Sequence, residues 1–269
     1  MKKQKLKTKG RGPKVLVMDI ETAPILAYVW GIWDQTVGLN QIQSDWHLLS
    51  WSAKWLGEDK VMYADQRNAK KIEDDKDLLK GIWKLLDEAD IVVGQNSKAF
   101  DIKKLNARFI MNGMQPPSSY RQIDTKLLAK KHFSFTSNKL EYMASKLCKT
   151  KKSKHKKFEG FELWRQCIAG NKAAWKEMEA YNKLDVLSTE ELFYKLEPWS
   201  TEINFSVYDA DGEMQCACGD PDFIKNGFYY TNSSRFQKYR CRTCGSEMRG
   251  SDNLVKKEHR KGIGRTTTK

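Results

Sequence analysis

No stretch of this chain approaches the roughly 20 consecutive apolar residues that a membrane-crossing helix requires. The N-terminus is basic, but only four apolar residues, Val15 to Met18, follow before Asp19 interrupts them, so it does not read as a secretory signal. Both absences lead to the expectation of a soluble, cytoplasmic protein without a membrane partner. The sequence also lacks a Walker-type phosphate loop and a glycine-rich dinucleotide fingerprint, which removes the two commonest nucleotide-binding signatures. Acidic residues are missing from particular segments: residues 1–14 hold seven Lys or Arg and residues 149–157 hold six, with no acid in either. Residues 223–249 carry six bases against one acid, and residues 251–269 six against two. The whole chain is +14, but these four segments sum to +22 and leave the rest at −8. A net-negative body repels nucleic acid, so the basic segments are the expected source of phosphate contacts, Lys151, Lys152 and Lys154 among them. A solvated flexible loop is the competing reading of 149–157.

What the chain does contain is a set of acids at informative spacings. In VLVMDIET (15–22), Asp19 and Glu21 stand two apart in a strand-like alternation, so both project from one face. Two carboxylates so placed repel unless a cation lies between them. In EAYNKLDVL (179–187), Tyr181 and Asp185 are four apart in a long helical stretch, which stacks phenol and carboxylate on one face. Met178 and Leu192 share that face, so it points inward, where a carboxylate is costly unless paired or bound to metal. In VVGQNSKAFD (92–101), Asp101 follows an apolar strand and a turn containing Asn96, and it opens a helix with Ile102, Leu105, Phe109 and Ile110 as apolar positions. Taken singly, each has a plainer reading: a strand end reaching solvent, a helix N-cap, a packed aromatic beside a solvated acid, a turn asparagine serving the backbone. Taken together, four carboxylates suit a pair of hard divalent cations, Mg²⁺ or Mn²⁺, with open positions for water and phosphate. Such a pair supports phosphodiester hydrolysis.

These residues resemble the DEDD 3′–5′ exonucleases of the ribonuclease H-like fold, in the subtype whose third motif is Tyr-x-x-x-Asp. Asp19, Glu21 and Thr22 match the first motif, Asn96 through Asp101 the second, and Tyr181 and Asp185 the third. The likeness spans about residues 13–197, includes the Gln122–Thr125 segment and the SNKLEYMASKL helix, and is similar to the proofreading domain of family B DNA polymerases. It implies that Asp19, Glu21, Asp101 and Asp185 bind two Mg or Mn ions, and that Tyr181 positions or helps deprotonate the attacking water. It also implies DNA as the substrate. A structure-specific endonuclease of the same fold, or a catalytically silent nucleic-acid-binding protein, are the alternatives.

The periodicities predict a strand at 15–21, a long Trp-rich loop, strands at 46–55 and 60–65, a helix at 77–89 and a strand at 91–93. A helix from 101, a short strand near Ile123, and helices at about 125–131, 139–148, 161–169 and 172–196 follow. Hairpin-joined strands and then alternating helices and strands are the order of an α/β, ribonuclease H-like mixed sheet. The expected organisation is a basic flexible tail at 1–13, the nuclease domain at 14–200, a zinc ribbon at 210–250 and a second flexible tail at 251–269.

The composition changes beyond Pro198. Cys216-x-Cys218 and Cys241-x-x-Cys244 are two close thiol pairs in a segment too short to bury a core, which reads as a site for one structural zinc. Disulfides are the competing reading, disfavoured inside a cell. The stretch FIKNGFYYTNSSRFQKYRCRTCG is similar to the DNA-binding zinc ribbons of some insertion-sequence transposases, although the first pair has one intervening residue where two are usual. Phe228, Tyr229, Tyr230, Phe236 and Tyr239 alternate with basic residues, of which Arg235, Lys238 and Arg240 are candidate nucleic-acid contacts. The bland reading is that half of these rings fill the ribbon's small core. Cys148 and Cys167 lie in helical segments and read as buried small hydrophobes.

Overall fold

The structure is a computed structural model that describes residues 12–150, 157–208, 212–265 and 267. The expected loop contacts Lys151, Lys152 and Lys154, and most of the N-terminal tail, lie outside those residues. The described residues divide into two compact units, one of which is Lys14–Leu196 while the other begins at Glu197. Among the described residues, no helix is long and apolar enough to cross a membrane.

In the larger unit the elements run β1 (Val15–Thr22), β2 (Leu26–Ala27), β3 (Ile42–Ser44), β4 (Leu48–Trp55), β5 (Met62–Asp65), α1 (Lys76–Glu88), β6 (Ile91–Gly94), α2 (Asp101–Met111) and β7 (Arg121–Asp124). Four helices complete it: α3 (Thr125–His132), α4 (Leu140–Leu147), α5 (Glu162–Ile168) and α6 (Lys172–Leu196). Five strands form one mixed sheet in the order β5-β4-β1-β6-β7. β1 pairs antiparallel with β4 and parallel with β6, so the central strand carries the change of direction. This is the mixed α/β sheet of a ribonuclease H-like fold, with helices against it.

The alternation in β1 decides what each face of the sheet does. Leu16, Met18 and Ile20 pack with Trp51 and Ala53 of β4 and with the apolar faces of α1 and α2. The odd positions, including Asp19 and Glu21, therefore point to the other face, where α6 packs on β1 and β4. Register places Asp19 beside Ser52 and Glu21 beside Ser50, two small side chains that leave room between strand and helix. α6 turns Trp175, Met178, Tyr181, Asn182, Asp185, Thr189 and Leu192 inward, a stripe at helical spacing. A buried ion pair between Lys54 of β4 and Glu190 of α6 pins the helix to the sheet, and Glu190 also accepts the Gly57 N–H at 2.9 Å.

Two expectations change. The Trp-rich segment after β1 contains the small antiparallel pair β2–β3, supported by Tyr28 N–H donating to Gln41 O at 3.0 Å and Gln41 Nε2 to Tyr28 O at 2.9 Å. Strands of two and three residues leave no readable alternation. β4 begins at Leu48 rather than 46, because the His47 carbonyl turns to accept the Ala23 N–H at 2.8 Å.

The smaller unit carries β8 (Phe223–Thr231), β9 (Ser234–Cys241), β10 (Glu247–Asn253) and a short helix α7 (Lys257–Lys261). The three strands form an antiparallel sheet in the order β10-β9-β8. The structure thus has regular elements inside the span 251–269 expected to be a flexible tail. β10 extends to Asn253 because that residue pairs with Phe236 and the next N–H, of Leu254, reaches Arg235 O at 2.7 Å. The division at Leu196/Glu197 likewise falls ahead of the expected boundary at 200.

Candidate metal centres

The sheet and α6 bring Asp19, Glu21 and Asp185 together, with one carboxylate oxygen from each lying within 4.8 Å of the others. Asp185 is buried, while the two β1 acids are half-buried. Three carboxylates this close, at the edge of an apolar core, are compatible with a divalent cation and strongly repulsive without one.

Asp101 belongs to the surroundings of this cluster and not to its tightest set. It is buried at the first turn of α2, and its Oδ1 accepts the Ile20 N–H at 3.1 Å, between the two β1 acids. Burial drives its carboxyl well above the ordinary range, with the Asp124 charge adding to the shift and the Ile20 hydrogen bond opposing it. Of the four expected carboxylates, three thus lie in one cluster and the fourth is anchored to the backbone of the strand that carries two of them.

Tyr181 is buried beside the cluster and hydrogen-bonded to Asp185. Burial, then the charges of Asp185, Glu21 and Asp19, push its phenol far upward, so the hydroxyl remains a donor. The ring meets Trp164 of α5 edge-to-face, with centroids 6.0 Å apart.

Asn182, Ser50 and Trp164, which sequence reasoning missed, complete the arrangement. Asn182, fully buried, donates from Nδ2 to Asp19 Oδ2 at 2.6 Å, and its Oδ1 accepts from Ser50 Oγ at 3.2 Å. Trp164 donates its indole N–H to Glu21 Oε2 at 3.1 Å. Asn182 was within reach of the helical pattern, since 178, 181, 182 and 185 share one face. Trp164 carried no signal, being one of nine tryptophans in the chain.

Asn96 lies in the turn between β6 and α2. It has φ +63°, its N–H donates to Asp124 Oδ1 at 3.0 Å, and its Oδ1 accepts from Lys126 Nζ at 3.0 Å. Asp124 also accepts the Lys98 and Lys126 N–H groups and caps α3. The hydrogen bonds of Asn96, an expected nucleic-acid contact, hold the turn after β6.

In the smaller unit, Sγ atoms of Cys216, Cys218, Cys241 and Cys244 lie within 4.8 Å of one another. The Cys216–Cys244 and Cys218–Cys241 separations are 3.6 and 3.8 Å, too long for disulfides and close to the roughly 3.8 Å edge of a tetrahedron with Zn–S bonds of about 2.3 Å. Each pair sits on a turn closed by a left-handed glycine, Gly219 (φ +84°) and Gly245 (φ +82°), whose N–H groups return to Cys216 O and Cys241 O. The single-residue spacing of the first pair thus still delivers both sulfurs. Hydrogen bonds with Cys218 and Cys244 hold the Cys216 thiol far below its usual range. The cluster is compatible with zinc.

Of the expected contacts on the ribbon strands, Lys238 and Arg240 both pair with Glu247, at 3.1 and 2.7 Å, whereas Arg235 stacks over the Phe228 ring at 5.0 Å.

A family model described as the RNase_H superfamily matches residues 35–197, more than half of the chain, starting after the strand that carries Asp19 and Glu21. Among solved structures, the family B DNA polymerase of the hyperthermophilic archaeon Pyrobaculum calidifontis is similar with TM-score 0.51 and 16% identity. That likeness covers 70% of this chain but 25% of the polymerase, and at this identity it concerns the fold. No curated protein sequence matches the chain.

Proposed function

Because the chain belongs to the RNase_H superfamily, we propose that it is a metal-dependent nuclease, and more narrowly a 3′–5′ exonuclease acting on DNA. The observation that carries this reading is the convergence of Asp19, Glu21 and Asp185 within 4.8 Å, beside the buried Tyr181. The donor set is all oxygen, which suits Mg²⁺ or Mn²⁺ and fits a soft metal poorly. Two such ions, when bound, supply an activated water and neutralise the charge that develops on the phosphate and the leaving 3′ oxygen.

The chain's own residues do the rest. Asp19, Glu21 and Asp185 hold the cations, and Asp101 completes the set from the first turn of α2. Tyr181, whose O–H is given to Asp185, offers its phenol oxygen as an acceptor that orients the attacking water. Asn182 and Trp164 fix the carboxylates of Asp19 and Glu21 in single orientations. In the smaller unit, the four cysteines bind a structural zinc, and the module serves nucleic-acid binding. The two functional parts are proposed at residues 14–200 and, with β10 running to Asn253, at residues 210–253.

The test is to incubate the protein and its Asp19→Ala variant with 5′-labelled single- and double-stranded DNA and RNA in Mg²⁺ or Mn²⁺. A ladder that shortens from the 3′ end, is lost in the variant and is stronger on DNA is the expected result. Internal cuts overturn the exonuclease assignment, a stronger ladder on RNA overturns the substrate assignment, and binding without cleavage overturns the hydrolase itself.

A further inference from the structure

The register of β8 against β9 contains one irregularity, and it decides which aromatic residues of the smaller unit stand beside which basic ones. Lys225 pairs with Tyr239, but Phe228 pairs with Gln237, so three steps along β8 match two along β9. The extra residue falls at Asn226-Gly227, where Gly227 has φ +74° and its carbonyl accepts from Gln237 Nε2 at 2.8 Å. A bulge of this kind shifts every following side chain to the other face. Without it, Tyr229 would share a face with Lys225; with it, Phe228 and Tyr230 do.

The two faces then differ in how far their cations are paired with acids. One face presents Lys225, Phe228, Tyr230 and Arg235, with Tyr230 directly opposite Arg235. Phe228 and Tyr230 are 43% and 65% exposed, with ring centroids 6.4 Å apart, and the Arg235 guanidinium lies over Phe228. Among the described residues, no ion pair engages Lys225 or Arg235. Nearer the cysteines the same face is closed by Phe223 against Tyr239, with centroids 5.2 Å apart. The opposite face carries Lys238 and Arg240, whose charges are both met by Glu247. It also carries Tyr229 and the half-buried Phe236 under the Arg249 guanidinium, so of the two faces only the first holds two strongly exposed rings side by side.

We propose that the Lys225–Phe228–Tyr230–Arg235 face is a binding platform for an unpaired nucleic-acid strand, in which the two rings stack on successive bases and the two cations meet the flanking phosphates. Exposed rings held by a guanidinium offer base faces a pre-ordered surface, and cations without a protein counter-ion are the ones free to take a phosphate. A duplex hides its base faces, so the platform selects single strands. This assignment rests on the nucleic-acid reading of the module and narrows it to one face. It transfers the binding role from Lys238 and Arg240 to Lys225 and the aromatic pair, with Arg235 retained.

The test uses the full-length, zinc-loaded protein and a short fluorescein-labelled oligonucleotide, single-stranded or annealed, in buffer without magnesium or manganese. Phe228→Ala/Tyr230→Ala is expected to weaken single-strand binding about tenfold or more while affecting duplex much less. Arg235→Ala is expected to weaken binding and lower the salt slope by about one phosphate contact. Arg240→Ala is the opposite-face comparison and is expected to change affinity little. Wild-type affinity in the double variant, or a loss in Arg240→Ala as large as that in Arg235→Ala, overturns the assignment. So does a wild-type dimer that the double variant dissociates with unchanged affinity, which would make the face a contact between copies of the chain. Because binding is read without the ions that hydrolysis needs, a chain that never cleaves still passes or fails here, and the two readings fall separately.

Discussion

Asn182 donates its amide N–H to Asp19 Oδ2 across 2.6 Å, joining α6 to β1 through a side chain with no exposure to solvent. Its own carbonyl is held by Ser50 Oγ on the neighbouring strand. The Ser50–Asn182–Asp19 chain fixes the amide's orientation, and the amide in turn fixes which carboxylate oxygen remains available to a cation.

Replacing Asn182 tests that relation. Asn182→Leu keeps the volume but removes the donor, and Mn²⁺ affinity is expected to fall about 10–100-fold, the usual effect of losing a partner that orients a metal ligand. Asn182→Asp puts a further negative charge beside Asp19 and is expected to lower activity at least as much. Titration of cleavage rate against Mn²⁺ concentration reads both, and an unchanged half-saturation point contradicts the role.

Trp164→Phe separates stacking from hydrogen bonding. The phenyl ring can still pack against Tyr181, but the donor to Glu21 at 3.1 Å is lost. A hydrogen bond to a charged group contributes about 1.5–3 kcal/mol, so a rate loss of roughly tenfold or more is expected with little change in melting temperature. A parallel fall in melting temperature would mean that the indole supports the fold instead.

Gly81 gives a stability prediction in which two effects compete. Within a helix, Gly→Ala ordinarily stabilises by about 1 kcal/mol. Here a Cβ at Gly81 would lie 2.7 Å from Cζ2 of the Trp51 ring, whose indole N–H is bonded to Leu78 O at 3.0 Å. Overpacking costs about 1–3 kcal/mol and outweighs the helix gain, so Gly81→Ala is expected to lower stability in urea melts.

The two cysteines outside the cluster give a pH prediction. Burial pushes the Cys148 thiol up to about 11 and that of Cys167 up to about 12. At pH 8 fewer than about one in a thousand is a thiolate, so iodoacetamide should spare both in the native protein and label them on unfolding. Each folded value lies above the unfolded one of about 8.5. Their contribution to stability is therefore full below that pH and is lost as pH rises through about 11 to 12. Mass spectrometry across a pH series reads the labelling, and rapid native modification of Cys167 at pH 8 contradicts the placement.

The order of elements in the larger unit was legible because the two periodicities are strong there. The alternation of 15–22 and the apolar stripes of 77–89 and 172–196 correspond to β1, α1 and α6 within one or two residues. The short pair β2–β3 and the extension of β10 were not legible, since they rest on pairing with distant partners.

The sequence by itself determined the residue types and their local faces: two acids on one side of a strand, a phenol and an acid on one side of a helix, and two thiol pairs. Those follow from the repeats of the backbone, 2 residues in a strand and about 3.6 in a helix, which need no knowledge of neighbours. Tertiary structure decided which of those faces meet. It brought Asp185 to Asp19 and Glu21, left Asp101 on the Ile20 N–H, and supplied Asn182 and Trp164 as their partners. In the smaller unit one bulge at Gly227 set which aromatics stand beside which cations. Such choices depend on contacts between residues far apart in the chain and on single-residue shifts in register, and neither leaves a periodic trace in the sequence.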